Sequence, residues 1–217
     1  SDISFTPIDF SSNKLSLNGT GSIVAFGIDD EVKIFEYKNY SWDQMGNDDI
    51  QITSVDSVFL NNAGNRIAIS SNNEIFIYGY NDVDNSWNIL HDSTGAAPYA
   101  TYSSVILNSN GDHFAYIDGS NDVYVYEVGL NDWQQKGDSF VSNGNTISLN
   151  KTGDRIAIGD TNETKIFEYI GTSWDQMGED LSGINVSLNN LGNIVAISDI
   201  SNIEVYHYID TSWNITQ

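Results

Sequence analysis

Residues 147–178 read ISLNKTGDRIAIGDTNETKIFEYIGTSWDQMG, and residues 15–46 read LSLNGTGSIVAFGIDDEVKIFEYKNYSWDQMG. The two stretches share KIFEY and SWDQMG in the same order and at the same spacing, so one unit has been duplicated. Working outward, the tryptophans give the period: Trp42, Trp87, Trp133, Trp174 and Trp213 are separated by 45, 46, 41 and 39 residues. Each closes one copy.

Stacked on those tryptophans, the copies align. Leu17-Asn18, Leu60-Asn61, Leu107-Asn108, Leu149-Asn150 and Leu188-Asn189 each end an apolar stretch, and Gly21, Gly64, Gly111, Gly153 and Gly192 follow. An Asn-x-x-Gly run between apolar stretches predicts a tight hairpin, because the Asn side chain caps the turn and Gly accepts a positive φ. Ala25, Ala68, Ala115, Ala157 and Ala196 fall mid-strand in the next stretch, where a small side chain lets neighbouring sheets approach. In the second copy the expected strands are residues 58–60, 66–70, 74–80 and 86–90.

The period-2 spacing, the β-branched and aromatic content and the frequent turn residues exclude helical repeats. In Ile34-Phe35 and Ile166-Phe167, successive residues are both apolar although they point to opposite faces, so each sheet must be covered on both sides. Four-stranded sheets stacked around an axis meet that demand and leave only short edges. The expectation is an all-β chain folded as a single five-bladed β-propeller with four antiparallel strands per blade. The blades fall roughly at residues 11–50, 51–96, 97–142, 143–182 and 183–217. Residues 1–10 occupy the register of 47–56 and are expected to seal the ring, bringing Ser1 near Gln217. A β-solenoid is the alternative architecture, but its repeats are usually shorter and it needs capping copies at both ends.

Composition narrows the partners. Hydrophobic residues make up 40% of the chain and aromatic residues 12%, which favours a packed core over disorder. Eight Lys and Arg stand against 30 Asp and Glu, a formal net charge of −22 that repels phosphate backbones and anionic headgroups. Nucleic acid is therefore not an expected partner, and with no apolar run long enough to span a bilayer, neither is membrane insertion. Cysteine is absent, which removes disulfides, thiolate metal sites and cysteine nucleophiles together.

The order Ser-Leu-Asn, Gly, Arg-Ile-Ala-Ile-Gly, Ile-Phe-Glu-Tyr, Ser-Trp-x-Gln-x-Gly, clearest at residues 147–178 and 15–46, resembles FG-GAP-like propeller repeats of marine bacterial, algal and viral proteins. The blade length is also WD40-like. The resemblance implies a propeller and an extracellular, cell-surface or virion-associated location, and it implies no single activity. Integrin-type FG-GAP blades carry a D-x-D-x-D-G calcium loop, and here the corresponding turns are short: IDDE at 28–31, SNNE at 71–74, DGSND at 118–122, DTNE at 160–163 and DISN at 199–202. In size and blade count the chain also resembles tachylectin-2-type lectins, with no sugar-binding motif carried across.

No catalytic set stands out. His91, His113 and His207 hold non-equivalent places in three copies, and pairs such as Asp29-Asp30 or Asp48-Asp49 arise by chance in so acidic a chain. The tryptophans are expected to pack between blades before they stack on sugars. If the second-to-third-strand turns converge, Asp29, Asp30, Asp118, Asp122, Asp160 and Asp199 offer oxygens to a hard cation such as calcium; turn chemistry explains the same residues. No other cofactor is expected. The link at 91–102, HDSTGAAPYATY, is the most individual loop, and Tyr99 and Tyr102 are its candidate ligand contacts. Together these features lead to the expectation of a monomeric, non-enzymatic binding module that presents loops to a glycan or protein partner. The alternatives are a structural module of a larger surface protein or capsid, and a glycoside-active enzyme.

Overall fold

A computed structural model of the chain describes residues 14–93, 105–130 and 132–216. The chain divides into two compact units, Ser1–Tyr99 and Ala100–Gln217. The closure expected of Ser1 and Gln217 lies outside the described residues.

The first unit holds two antiparallel sheets. The first sheet runs in order through β1 (Leu15–Leu17), β2 (Ile23–Ile28), β3 (Glu31–Lys38) and β4 (Ser41–Gln44), with β5 (Ile50–Gln51) paired to β3. The second runs through β6 (Val55–Leu60), β7 (Arg66–Ser71), β8 (Glu74–Asn81) and β9 (Ser86–Asp92). All four strands expected in this copy are present, each starting at or before the expected residue and ending at or after it.

Three more sheets make up the second unit among the described residues. The third sheet is β10 (Val105–Leu107), β11 (His113–Ile117), β12 (Asp122–Val128) and β13 (Trp133–Gln135), with β14 (Phe140–Val141) on β12. The fourth is β15 (Thr146–Leu149), β16 (Arg155–Gly159), β17 (Glu163–Ile170) and β18 (Ser173–Gln176), with β19 (Leu181–Ser182) on β17. The fifth is β20 (Asn185–Leu188), β21 (Ile194–Ser198), β22 (Ile203–Ile209) and β23 (Ser212–Thr216). The two-residue strands β5, β14 and β19 were not anticipated. They form because the third strand outruns the fourth, and the link to the next sheet takes up the hydrogen bonds left at its start, as when Glu31 and Val32 pair with Gln51 and Ile50.

The hairpin reading holds in detail. In every copy the Asn side chain accepts backbone N–H groups across the first turn: Asn18 Oδ1 from Ser22 and Ile23, both at 2.9 Å, and Asn150 Oδ1 from Asp154 and Arg155 at 3.1 and 3.0 Å. The turn glycines have φ between +66° and +76°. Gly64, Gly153 and Gly192 also sit where the neighbouring sheet comes close. A Cβ on Gly153 would lie 2.2 Å from His113 Cγ, and one on Gly192 would lie 2.6 Å from Arg155 Cδ, so each glycine beds on the residue that opens the second strand of the preceding sheet.

Strand alternation gives each sheet two faces. The trailing face of the first sheet carries Ser16, Ala25, Val32 and Ile34, and it packs on the leading face of the second, Val58, Leu60, Ile67 and Ile69. The third sheet packs on the fourth, and the fourth on the fifth, in the same sense. At the centre of these interfaces Ala25, Val32, Ile67, Ala115, Val123, Ala157 and Ile166 are fully buried. Each large aliphatic side chain so placed contributes about 1.5–3 kcal/mol.

Candidate functional site

The tryptophans tie neighbouring sheets by a repeated hydrogen bond. Trp87 Nε1 donates to Met45 O at 2.9 Å, Trp174 Nε1 to Lys136 O at 2.8 Å and Trp213 Nε1 to Met177 O at 2.8 Å. Each acceptor lies three residues past the tryptophan of the preceding sheet. A second tie accompanies it: Leu60 N–H donates to Ser16 Oγ and Leu188 N–H to Ser148 Oγ, both at 2.9 Å. Each ring also lies against a tyrosine of its own sheet, as Trp174 does with Tyr169 at 5.4 Å. Packing between sheets, rather than a ring of stacking surfaces, accounts for these indoles.

Three of the turn carboxylates cap their own turns. Asp118 Oδ1 accepts the N–H groups of Ser120 and Asp122 at 2.8 and 2.9 Å, Asp199 Oδ1 those of Ser201 and Asn202 at 2.6 and 2.7 Å, and Asp160 that of Thr161. Those two backbone donors at Asp199, joined by the Ser201 hydroxyl, hold its carboxyl below the usual range. Asp30 Oδ1 takes the N–H of Ser54 at 2.9 Å, while Asp29 is an exposed turn residue with φ +50° and Asp122 opens β12. Among the described residues, no three His, Asp or Glu side chains come together as a metal site would need. Tyr99 and Tyr102 lie outside the described residues.

Sequence reasoning passed over one polar cluster, in which His113 and Lys136 are largely buried and Asp112 and Glu127 are half-exposed. His113, 9% exposed, has Nδ1 at 2.8 Å from Asp112 Oδ1 and Nε2 at 2.9 Å from Lys136 Nζ, while Lys136 Nζ pairs with Glu127 Oε2 at 3.0 Å. An ammonium has no lone pair to offer, so Nε2 accepts from Lys136 and the ring proton sits on Nδ1, donated to Asp112. Burial pushes the Asp112 carboxyl up, but hydrogen bonds from Asn108 and His113 more than offset it and hold it below its ordinary value. Lys136 Nζ also lies 5.2 Å from the centre of the Tyr169 ring. The signal in the sequence is a departure from the repeat, since Lys136 stands where Met45 and Met177 stand in the first and fourth copies. A lysine in a methionine's place must bring partners with it.

Three further cations are paired as well. Lys33 pairs with Glu31 and Asp49, both at 2.6 Å, Arg155 with Glu168 at 2.6 Å and Lys165 with Glu163 at 2.6 Å. Arg155 occupies the place of His113 one sheet further on, and Glu168 that of Glu127. In the third and fourth sheets the residue that opens the second strand thus lies beside a glutamate across the hairpin.

No family profile and no curated protein sequence matches the chain. Solved structures do. A functionally unknown protein from Desulfotomaculum acetoxidans superposes with a TM-score of 0.70 at 12% identity, covering 98% of this chain and 71% of that one. A protein called a "putative 6-phosphogluconolactonase" from Bacteroides fragilis gives 0.64 at 13%, covering 92% and 67%. The β-propeller domain of Cps50 (Swd1) from Myceliophteria thermophila gives 0.64 at 10%, covering 87% and 67%. At these identities the likeness establishes the fold, which is a β-propeller. The last neighbour supports the WD40-like side of the resemblance; no family match supports its FG-GAP-like, marine or viral side. The expectation of a non-enzymatic extracellular binding module is corrected by these neighbours. They include a protein named for an enzyme activity and offer nothing that points to an extracellular receptor. Propellers host catalysis as readily as recognition, so repeat pattern and charge could not decide between them.

Proposed function

We propose that the five sheets are five blades and that the chain provides the frame of a β-propeller, its side-chain chemistry being spent on holding blade to blade. The observation that carries this reading is the repeated tie of indole to carbonyl at equivalent residues of three pairs of neighbouring sheets, joined in two of them by the tie of leucine N–H to serine hydroxyl. Frames of this kind gain stability chiefly through nearest-neighbour interfaces. Single replacement of Trp87, Trp174 or Trp213 by Phe tests it. Each variant should unfold at lower urea, and a variant as stable as the parent would remove its indole from the frame.

The lactonase-named neighbour brings a second reading, hydrolysis of a lactone, which one observation favours: an imidazole oriented by a half-exposed carboxylate, as a general base requires. The net charge of −22 and the pairing of Lys33, Arg155 and Lys165 disfavour a phosphorylated substrate, so the substrate class in this reading is an uncharged sugar lactone. His113 Nε2 would first have to be released by Lys136. Following glucono-lactone opening by pH-stat with the parent and with His113→Gln tests the reading, and a parent rate equal to buffer ends it.

A further inference from the structure

Three Asn-Gly pairs occur in the sequence: Asn18-Gly19, Asn110-Gly111 and Asn143-Gly144. Such a pair can modify itself, because the main-chain nitrogen of a residue without a Cβ reaches the preceding side-chain amide with little hindrance. The fold treats the three differently. Asn18 is buried, its Oδ1 accepts the N–H groups of Ser22 and Ile23 at 2.9 Å, and the Gly19 N–H donates to Asn62 O at 3.0 Å. The Gly111 N–H is likewise held by a main-chain oxygen, Asn108 O, at 3.0 Å. Asn143 is exposed, with φ +52°, and among the described residues its side chain makes no hydrogen bond. The Gly144 N–H goes to a side chain, the Ser142 hydroxyl, at the longer distance of 3.3 Å.

We propose that Asn143-Gly144 is a site of self-modification, at which the native fold lets the side-chain amide be lost and the main chain be re-linked. A solvent base takes the Gly144 amide proton, the nitrogen attacks Asn143 Cγ, and the Cγ–Nδ2 bond breaks, releasing ammonia that takes its third proton from solvent. The cyclic imide left behind takes up one water. Opening at Cγ gives an ordinary aspartate, and opening at the main-chain carbonyl gives a β-linked one. The place of the pair gives the second product its effect. Residues 142–145 lead from β14 to β15 and are pinned on both sides, by the Ser142 N–H on Asn121 O at 3.1 Å and the Asn145 N–H on Gly159 O at 2.8 Å. Between the pins Gly144 is buried, and a Cβ on it would lie 2.2 Å from Ile158 Cγ2. The β-linked product adds a methylene to the main chain and a negative charge beside it, so either a pin gives way or Ile158 shifts in the packing of the third sheet on the fourth.

Ageing the purified chain at physiological temperature and mildly alkaline pH, with peptide mapping by mass spectrometry at intervals, gives the rate at each pair; enzymatic methylation of the new carboxylate reads the β-linked product. In the native chain Asn143 should convert about tenfold faster than Asn18 or Asn110. In denaturing urea, where each asparagine has the same glycine neighbour and no fold around it, the three rates should draw together. Asn143→Gly keeps the positive φ and has no amide to lose, so it should gain no β-linked product in this link. The aged parent should melt lower than the fresh parent, and Asn143→Gly should keep its melting temperature over the same interval. No conversion at Asn143, equal native rates at the three pairs, or a ranking that persists unchanged in urea overturns the proposal.

Discussion

The indole N–H of Trp174 reaches the main-chain oxygen of Lys136 at 2.8 Å, so the fourth sheet grips the third at a carbonyl whose own side chain is locked to His113 and Glu127. Trp213 makes the same bond to Met177 and is 4% exposed. Trp174→Phe keeps an aromatic ring against Tyr169 and loses the hydrogen bond, for an expected loss of about 1 kcal/mol. Trp213→Ala removes ring and bond together, for about 3–5 kcal/mol. Urea titration of both variants gives the comparison, and equal losses would contradict it.

Gly153 and Gly171 separate backbone strain from close approach. Both have positive φ, +66° and +70°, but a Cβ on Gly171 meets nothing within 4 Å, while one on Gly153 meets His113 Cγ at 2.2 Å. Gly171→Ala should cost about 1–2 kcal/mol for the left-handed backbone alone. Gly153→Ala should add about 1–3 kcal/mol of overpacking to that. Thermal melts showing both variants equally stable would mean that the His113 cluster yields freely.

Tyr206 gives a signature at high pH. Its hydroxyl donates to Glu204 Oε2 at 2.6 Å, and that bond, with burial, pushes its pKa to about 12. Because the folded value lies above the ordinary value of about 10, the bond's stabilisation is fully present below pH 10 and fades as pH climbs through 12. Absorbance titration at alkaline pH should show a late-ionising tyrosine that disappears in Tyr206→Phe.

Calcium should do no more than ordinary salt. Asp118, Asp160 and Asp199 each turn one oxygen to N–H groups of their own turns, and among the described residues no three His, Asp or Glu side chains come together to share a cation. Melting temperatures in millimolar calcium and in sodium chloride of matched ionic strength should agree to within about 1 °C. A clear excess in calcium would point to a site the turns do not suggest.

Much of this architecture is legible because duplication writes the same local rule five times. The Asn-x-x-Gly turns, the mid-strand alanines and the tryptophans are decided by neighbours close in sequence, and all of them take the places their spacing implies. Partnerships between distant residues are another matter. Nothing near His113 announces that Lys136, 23 residues on, will share its burial. The carboxylates grouped as a cation mouth were chosen by type and turn, and in four of them one oxygen accepts a backbone N–H, within a few residues for Asp118, Asp160 and Asp199 and from Ser54 for Asp30. The short strands β5, β14 and β19 escaped notice because two residues carry no periodicity.

The ties between sheets have a polarity. Where the first sheet meets the second and the fourth meets the fifth, the leading edge brings donors, an indole N–H and a leucine N–H, and the trailing edge brings acceptors, a main-chain oxygen and a serine hydroxyl. Two leading edges set against each other would oppose donor to donor. A gene that gains a copy like the first or the fourth therefore gains both halves of such a junction at once, in the reading direction. Unequal recombination can change the number of sheets in this way, and the near-identity of residues 15–46 and 147–178 is what such a history leaves behind.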